Sequence, residues 1–242
     1  MTQTEREQRI HLAACYRVLA HLGVEDLTYN HLSLRVKDEP DTMLIKQGTE
    51  MFCEVTASSL RKYRFDGTPM DGGPPLVGGS LVIHAGILQA RPDINAVFHT
   101  HTPANMGVAS QKHGLLMINQ HAVKFYKRLA YHDFGGYEFN MSQRAPLLAS
   151  LGTHRVALLR NHGALVCGRT LQEALVDHNY LEMACRGQIA ALAGGAQVYL
   201  IPDEVAEFGA SQINVEDPAA SGAKDWAACL RLAYRLDPGF AN

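Results

Sequence analysis

The chain has 242 residues, of which 47% are hydrophobic and 19% are charged, so it contains enough apolar material to bury a sizeable core. Its 22 Lys and Arg residues nearly balance its 24 Asp and Glu residues, and the formal net charge is −2. This balance argues against nucleic acid or an anionic membrane as the main partner, because both attract concentrated positive charge.

The N-terminal residues 1–16 contain no apolar signal core, and no apolar run approaches the roughly 18 to 20 residues of a membrane span. We therefore expect a cytoplasmic protein. The five cysteines are odd in number, widely spaced and free of C-x-x-C pairs. They predict buried thiols and argue against a disulfide framework or a cysteine-rich zinc site.

The first third of the chain alternates between helical and strand patterns. A helix is predicted over 4–22, where Thr4 and Glu7 have the spacing of a capping box. Three strands are predicted next, at 31–36, 42–46 and 59–67. A loop rich in glycine and proline follows, and then a helix that begins with an N-cap at Ser80 and stops before Pro92.

Apolar runs dominate the middle of the chain. A buried strand within 94–101 leads into a helix whose first turn contains Pro103. Two further runs, 156–159 and 164–167, predict central strands joined by the sharp connection RNHG.

The longest predicted helix follows these strands. Thr170 and Glu173 form a second capping box at its start, and it closes at glycines 194–195. Residues 201–242 are expected to form a C-terminal tail with a last amphipathic helix. Three residues have the spacing of that helix: Trp226, Leu230 and Tyr234. Neither an internal repeat nor a low-complexity linker divides the sequence, so a single domain, 1–242, is expected.

Two histidines, His99 and His101, stand two positions apart where a buried strand ends. Positions i and i+2 of a strand face the same side, so both imidazoles can project into one cavity. A catalytic metal site usually has three protein ligands, and the third must come from another element. His162 is the candidate, because it follows a buried strand and precedes Gly163, whose missing Cβ allows a tight connection. From these residues alone, a metal-bound triad and histidines that satisfy local hydrogen bonds are equally open.

Four motifs together carry a family resemblance: EVTASSL at 54–60, RPDINAVFHTHTP at 91–103, LAYHDFGG at 129–136 and RNHGAL at 160–165. The chain resembles the zinc-dependent class II aldolase and adducin head-domain family up to about Gly195, and its adducin branch in particular. The resemblance implies an α/β fold, a three-layer α/β/α arrangement around a central mixed, largely antiparallel sheet, often assembled as a homotetramer with active sites at subunit contacts. It also implies one divalent metal ion per subunit on His99, His101 and His162, with zinc expected first and manganese, iron or cobalt as alternatives.

The same resemblance reveals a departure at the catalytic position. Aldolases of this family begin the helix before the metal strand with Ser-Ser-Glu, where the serines help to bind substrate phosphate and the glutamate is the acid/base. The matching residues here are Gly78, Gly79 and Ser80, and the family's Thr-Gly phosphate element is altered at 46–50. A phosphorylated sugar is therefore a poor candidate substrate. Aldol cleavage is also disfavoured, because a serine hydroxyl cannot replace the carboxylate as a base.

A bound metal still acts as a Lewis acid that stabilises an enolate, and decarboxylation needs this electron sink but no base. We therefore expect a divalent-metal-dependent carbon–carbon lyase, a decarboxylase or aldolase-like enzyme, acting on a small oxygenated acid or carbonyl compound. One alternative is a non-haem iron oxygenase on the same three histidines, since imidazole suits several metals. The other is a non-catalytic adducin-like interaction domain. The sequence has no long basic or disordered tail after the head-domain region, and this favours a stand-alone bacterial-type enzyme.

Further residues are candidates for chemistry or binding. Catalytic roles are considered for His121, His132 and Ser80. Contacts with the substrate are considered for Asn30, His31, Gln120 and Arg160. His121 is equally compatible with a proton donor and with a surface position, whereas a structural role is favoured for His132, because adjacent strand residues face opposite sides. His84 lies one helical turn after Ser80, and core packing is favoured for it.

Overall fold

The computed structural model describes residues 1–195, 197–214 and 216–242, and these ranges contain a seven-stranded sheet. The strands are β1 (His31–Val36), β2 (Glu39–Ile45), β3 (Arg61–Arg64), β4 (Ala96–Thr100), β5 (Leu129–His132), β6 (Val156–Leu159) and β7 (Gly163–Gly168). Their order across the sheet is β3-β2-β1-β4-β7-β6-β5. The β5–β6 pair is parallel and the other neighbours are antiparallel, so the sheet is mixed and largely antiparallel, as expected.

Helices cover both faces of this sheet. They are α1 (Gln3–His21), α2 (Gly86–Ala90), α3 (Pro103–Ala109), α4 (Gln120–Val123), α5 (Arg144–Leu151), α6 (Leu171–Leu192), α7 (Asp203–Ile213) and α8 (Ala223–Leu236). A π-helical stretch, Ser80–Ala85, leads directly into α2. In the described ranges, no helix combines the length and the apolar character that a membrane crossing requires.

Two separate apolar cores account for the three layers. Successive strand residues point to opposite faces, and in β4 Phe98 joins the first core while Val97 joins the second. The first core contains residues of α1, α3, α6 and α8, and the second contains residues of α2 and α5. The expected α/β/α arrangement is therefore confirmed. Trp226 and Leu230 of the C-terminal tail pack against the first core, on the amphipathic face of the predicted last helix.

The predicted starts of two helices are wrong. Helix α1 is capped by Thr2, whose side chain accepts a hydrogen bond from the Glu5 amide, so the Thr4–Glu7 spacing is not the capping box. Ser80 is not an N-cap either. An N-cap residue has an extended backbone, but Gly79 before it is already helical, with φ −55° and ψ −36°.

Most other elements agree with the sequence predictions. Strand β2 begins three residues before the predicted 42–46, whereas β3 is shorter than the predicted 59–67. Thr170 caps α6 as expected, by accepting a hydrogen bond from the Glu173 amide. Helix α7 lies in the tail, where the sequence indicated mixed structure. Of the cysteines, three are buried as predicted, one is half-buried, and Cys53 is exposed.

Candidate metal centre

The sheet register brings the three predicted ligands together. Strand β4 ends at Thr100, opposite Ala164 near the start of its antiparallel neighbour β7. His99 and His101 therefore lie at the same edge of the sheet as His162, the residue immediately before β7. Two segments about sixty residues apart thus deliver one cluster of imidazoles, as the sequence predicted.

The Nε2 atoms of these histidines converge. The Nε2 atom of His101 lies 2.9 Å from that of His99 and 3.1 Å from that of His162. Three nitrogen lone pairs at this separation repel one another unless a proton or a cation lies between them. Three imidazole nitrogens with further positions left open form a typical catalytic zinc ligand set, so the residues present fit one divalent ion.

The opposite ring nitrogens fix the tautomers. His99 Nδ1 donates to the Ala164 carbonyl oxygen at 3.0 Å, and His101 Nδ1 donates to an Asp26 carboxylate oxygen at 3.0 Å. The Nδ1 atom of His162 lies 3.4 Å from Glu138 Oε2. The two hydrogen bonds hold a proton on Nδ1 of His99 and His101 and leave their Nε2 lone pairs free, which is how outer oxygen atoms orient metal-binding imidazoles. Glu138 lies on the Nδ1 side of His162 without forming a hydrogen bond at this distance.

Burial prepares the site for a cation. Desolvation lowers the pKa of His99 well below its ordinary value and also lowers the pKa of His101, so these rings are neutral and able to coordinate. Glu138 is 4% exposed. Burial alone would raise its pKa, but the adjacent His162 ring and the loop backbone outweigh burial and lower it. The two carboxylates therefore bring negative charge to the outer side of the triad.

The connection between β6 and β7 depends on two backbone features. Asn161 adopts a left-handed conformation with φ 57°, which asparagine tolerates better than most residues. A Cβ atom on Gly163 would lie 2.5 Å from the Thr100 carbonyl oxygen and 2.9 Å from His101 Cδ2. Gly163 is therefore required for the close approach of β7 to β4, and the reversal itself takes place at Asn161.

Two of the predicted substrate contacts adjoin the triad. Asn30 Oδ1 accepts a hydrogen bond from the His101 amide at 2.8 Å, while its buried Nδ2 has no partner among the described residues. His31 pairs with His99 in the β1–β4 register, and their ring centroids are 5.2 Å apart. His31 Nδ1 lies 2.6 Å from Nε2 of His84, which is fully buried as predicted.

Three of the other predicted site residues have partners elsewhere: Arg160, His132 and His121. Arg160 donates to the Gln111 carbonyl oxygen and lies over the Tyr131 ring. His132 Nδ1 is 2.9 Å from Ser150 Oγ, in line with the favoured structural role. Gln120 is exposed on α4, and the neighbouring His121 ring lies 5.1 Å from the ring of Tyr180 on α6. Ser80 is half-buried in the π-helical stretch. Their roles in catalysis or binding stay predictions.

Sequence reasoning missed an aromatic loop beside the triad. Phe134, Tyr137 and Phe139 lie between β5 and α5 and are exposed. The Phe134 ring is 6.1 Å from that of His162, and the rings of Tyr137 and Phe139 stack at 5.5 Å. A Cβ on Gly78 would lie 3.5 Å from Phe139, so this loop also reaches the glycine pair formed by Gly78 and Gly79. The clustering of aromatic residues in DFGGYEF was the available signal.

Comparisons with known proteins agree with this geometry. Residues 10–189 match the family model of the Class II Aldolase and Adducin N-terminal domain, and the chain belongs to this family. A putative aldolase class 2 protein of Caulobacter vibrioides is 34% identical, over 100% of this chain and 95% of the relative. Alpha-adducin of Rattus norvegicus is also 34% identical, over 90% of this chain but 30% of that protein.

Solved structures confirm the fold. An aldolase II superfamily protein from Pseudomonas syringae superposes with a TM-score of 0.94 at 37% identity, over 100% of this chain and 98% of that chain. An L-fuculose 1-phosphate aldolase from Glaciozyma antarctica gives a TM-score of 0.86 at 22% identity, over 100% of this chain and 96% of that chain. At this lower identity the likeness shows the shared fold alone.

Proposed function

We propose that this chain is a divalent-metal-dependent carbon–carbon lyase for a small, non-phosphorylated oxygenated acid or carbonyl compound, and that it favours decarboxylation over aldol cleavage. The convergence of three imidazole Nε2 atoms at one point is the observation that supports this proposal most strongly. His99, His101 and His162 would hold the ion. When bound, the metal supplies a Lewis acid that stabilises negative charge on a substrate oxygen.

The placement of the carboxylates supports decarboxylation. The family's Ser-Ser-Glu stretch corresponds to Gly78, Gly79 and Ser80, so neither phosphate-binding hydroxyls nor a carboxylate are present there. Glu138 brings a carboxylate to the site, but its Oε2 faces Nδ1 of His162, on the side of the ring away from Nε2. It is therefore placed to orient a ligand and not to remove a proton from a substrate. Loss of carbon dioxide needs no such base.

The aromatic loop supports a substrate without a phosphate group. Phe139 lies against Gly78, where the aldolases of the family present a hydroxyl, and Phe134 adjoins His162. Apolar rings beside the ligands favour a flat or apolar substituent on the substrate and provide no counter-charge for a phosphate.

Zinc is the metal we propose, because three imidazole nitrogens suit its preferred coordination. Manganese, iron and cobalt are the alternatives. We further propose a single domain over 1–242, supported by the packing of the C-terminal tail on the first core. We also propose a homotetramer, which the family resemblance implies, and a cytoplasmic location, which rests on the sequence of the N-terminal residues and the lack of a long apolar run. Light scattering on purified protein measures the assembly.

Elemental analysis of gently purified protein, combined with a screen of small hydroxy- and oxo-acids for release of CO₂, tests this function. We expect about one equivalent of zinc, and we expect His99→Ala or His162→Ala to remove it. Ser80→Ala keeps both the metal and the fold, and His113→Ala serves as a control because His113 is exposed. Full metal retention after loss of either ligand histidine refutes the triad.

The same screen separates the two alternative functions. Oxygen uptake by iron-loaded protein, without release of CO₂ under anaerobic conditions, identifies an oxygenase on the same ligands. Protein that binds no metal and turns over none of the acids identifies an adducin-like interaction domain.

A further inference from the structure

Three polar side chains form a continuous chain from the protein interior to the triad. Ser33 Oγ lies 2.6 Å from His84 Nδ1, and His84 Nε2 lies 2.6 Å from His31 Nδ1. Ser33 and His84 are fully buried, whereas His31 is partly exposed. The mechanism proposed above does not use Ser33 or His84.

The buried serine decides the direction of these hydrogen bonds. Within the described ranges, the hydrogen-bond partner of the Ser33 hydroxyl is His84 Nδ1. If Ser33 accepted a proton from that nitrogen, its own O–H group would be buried without an acceptor, which is unfavourable. Ser33 therefore donates to Nδ1 of His84. His84 then carries its proton on Nε2 and donates to Nδ1 of His31.

His31 must consequently carry its proton on Nε2. That atom lies 3.8 Å from the position of a Cβ on Gly79, so it faces the glycine pair that stands where the family has Ser-Ser-Glu. No acceptor for it is found among the described residues. The His31 ring is 5.2 Å from that of His99. A neutral N–H donor is thus held beside three imidazoles that present lone pairs.

We propose that His31 donates a hydrogen bond from Nε2 to the substrate oxygen that gains negative charge, and that Ser33 and His84 are positioning residues that fix its tautomer. This inference deepens the proposed function and rests on it for the identity of the site. A neutral donor stabilises developing negative charge but removes no proton, so it complements a lyase that lacks the family's carboxylate base.

Oxalate is a suitable probe, because it is a planar chelator of divalent ions with oxygen atoms that accept hydrogen bonds. Its affinity for the zinc-loaded protein is measured by calorimetry, together with zinc content. His31→Phe is expected to weaken oxalate binding about tenfold or more, the effect of losing one hydrogen bond to a charged group. Zinc content stays at the wild-type level, since His31 lies outside the ligand set.

The positioning residues have a matched pair of variants. His84→Leu cannot donate to His31 and is expected to weaken oxalate binding about tenfold, whereas His84→Gln retains a donor at the same reach and stays within about threefold of wild type. Ser33→Ala is expected to weaken binding severalfold. Long-range proton–nitrogen NMR correlations on the wild-type protein should show the proton of His31 on Nε2. If Ser33 and His84 only packed against His31, this tautomer would not be required.

Three results overturn the inference. They are an Nδ1-protonated His31 in the wild-type protein, oxalate binding that is absent or unaffected by His31→Phe, and loss of zinc in that variant, which would make His31 a ligand. The NMR measurement and His84→Gln decide the matter even if His84→Leu does not fold. If no acid releases CO₂ but oxalate binding depends on His31 as described, the proposed lyase function fails and the hydrogen-bond donor stands.

Discussion

A methyl group at position 163 tests whether the close approach of β7 to β4 builds the metal centre. In Gly163→Ala the new Cβ would lie 2.5 Å from the Thr100 carbonyl oxygen, about 0.9 Å inside the 3.4 Å at which such contacts become ordinary. A backbone oxygen cannot swing aside as a side-chain tip can. The two strands must therefore separate by most of that distance, and His162 moves with the start of β7.

The size of this shift sets the expected effect. Overpacking of a well-packed site costs about 1 to 3 kcal/mol of folding free energy. Functional constellations need their groups held within about 0.5 Å, so displacement of one ligand in three by more than this should lower zinc affinity at least tenfold, or about 1.4 kcal/mol. Both losses arise from the same displacement, and we expect them together.

Competition with a chromophoric zinc chelator measures the affinity, and urea unfolding of the metal-free protein measures the stability. Gly48→Ala is the matched control, because its Cβ would meet nothing within 4 Å. It should leave zinc affinity unchanged and stability within about 0.5 kcal/mol. Wild-type zinc affinity in Gly163→Ala refutes the reasoning, and so does a loss of stability without a loss of affinity.

Three further predictions concern the surroundings of the triad. Asp26→Asn should weaken zinc binding about tenfold. This is the low end of the effect expected for a residue that hydrogen-bonds a metal ligand, because the Asp26 side chain is 41% exposed. An unchanged zinc affinity contradicts the role of Asp26 in orienting His101. Burial lowers the pKa of His178 to about 4, so the unfolded chain takes up this proton first as the pH falls below about 6.5. The contribution of His178 to the free energy of unfolding should fall by about 2 kcal/mol between pH 7 and pH 5. In urea titrations, the free energy of unfolding of His178→Gln should therefore decrease by about 2 kcal/mol less over this range than that of the wild-type protein. Thr102→Ala removes both the N-cap of α3 and a 2.6 Å hydrogen bond to the buried Glu182, so its free energy of unfolding should be about 2 kcal/mol lower than that of the wild-type protein. Thr102→Ser keeps the hydroxyl, and its free energy of unfolding should stay within about 1 kcal/mol of wild type.

The three ligand histidines could be picked out because their signals are local, and the family resemblance then favoured a metal-bound triad over histidines that satisfy local hydrogen bonds. His99 and His101 share a face through strand periodicity, and His162 lies at the boundary of two apolar runs. The outer carboxylates gave no such signal. Asp26 is 75 residues from His101 and Glu138 lies in a loop, so their roles depend on how the chain folds back over the sheet. The sequence patterns likewise predicted no strand order, and the family resemblance implied only that the sheet is mixed and largely antiparallel.

The errors at the helix starts have a different cause. Capping boxes are recognised by spacing, and Thr2 and Thr4 both provide a hydroxyl before the same apolar pattern. The sequence pattern does not determine which of them has the extended backbone. At Ser80 the preceding Gly79 is itself helical, and the π-helical winding after it is not encoded in a 3.6-residue period. His84 was correctly predicted to be buried, but its contact with His31 depends on how the π-helical stretch packs against β1, which the sequence pattern does not show.

The three imidazoles belong to the ends of strands that also form both apolar cores. Assembly of the sheet therefore brings the three rings to one point, and a cation held there would relieve the repulsion between their Nε2 lone pairs with little further ordering of the chain.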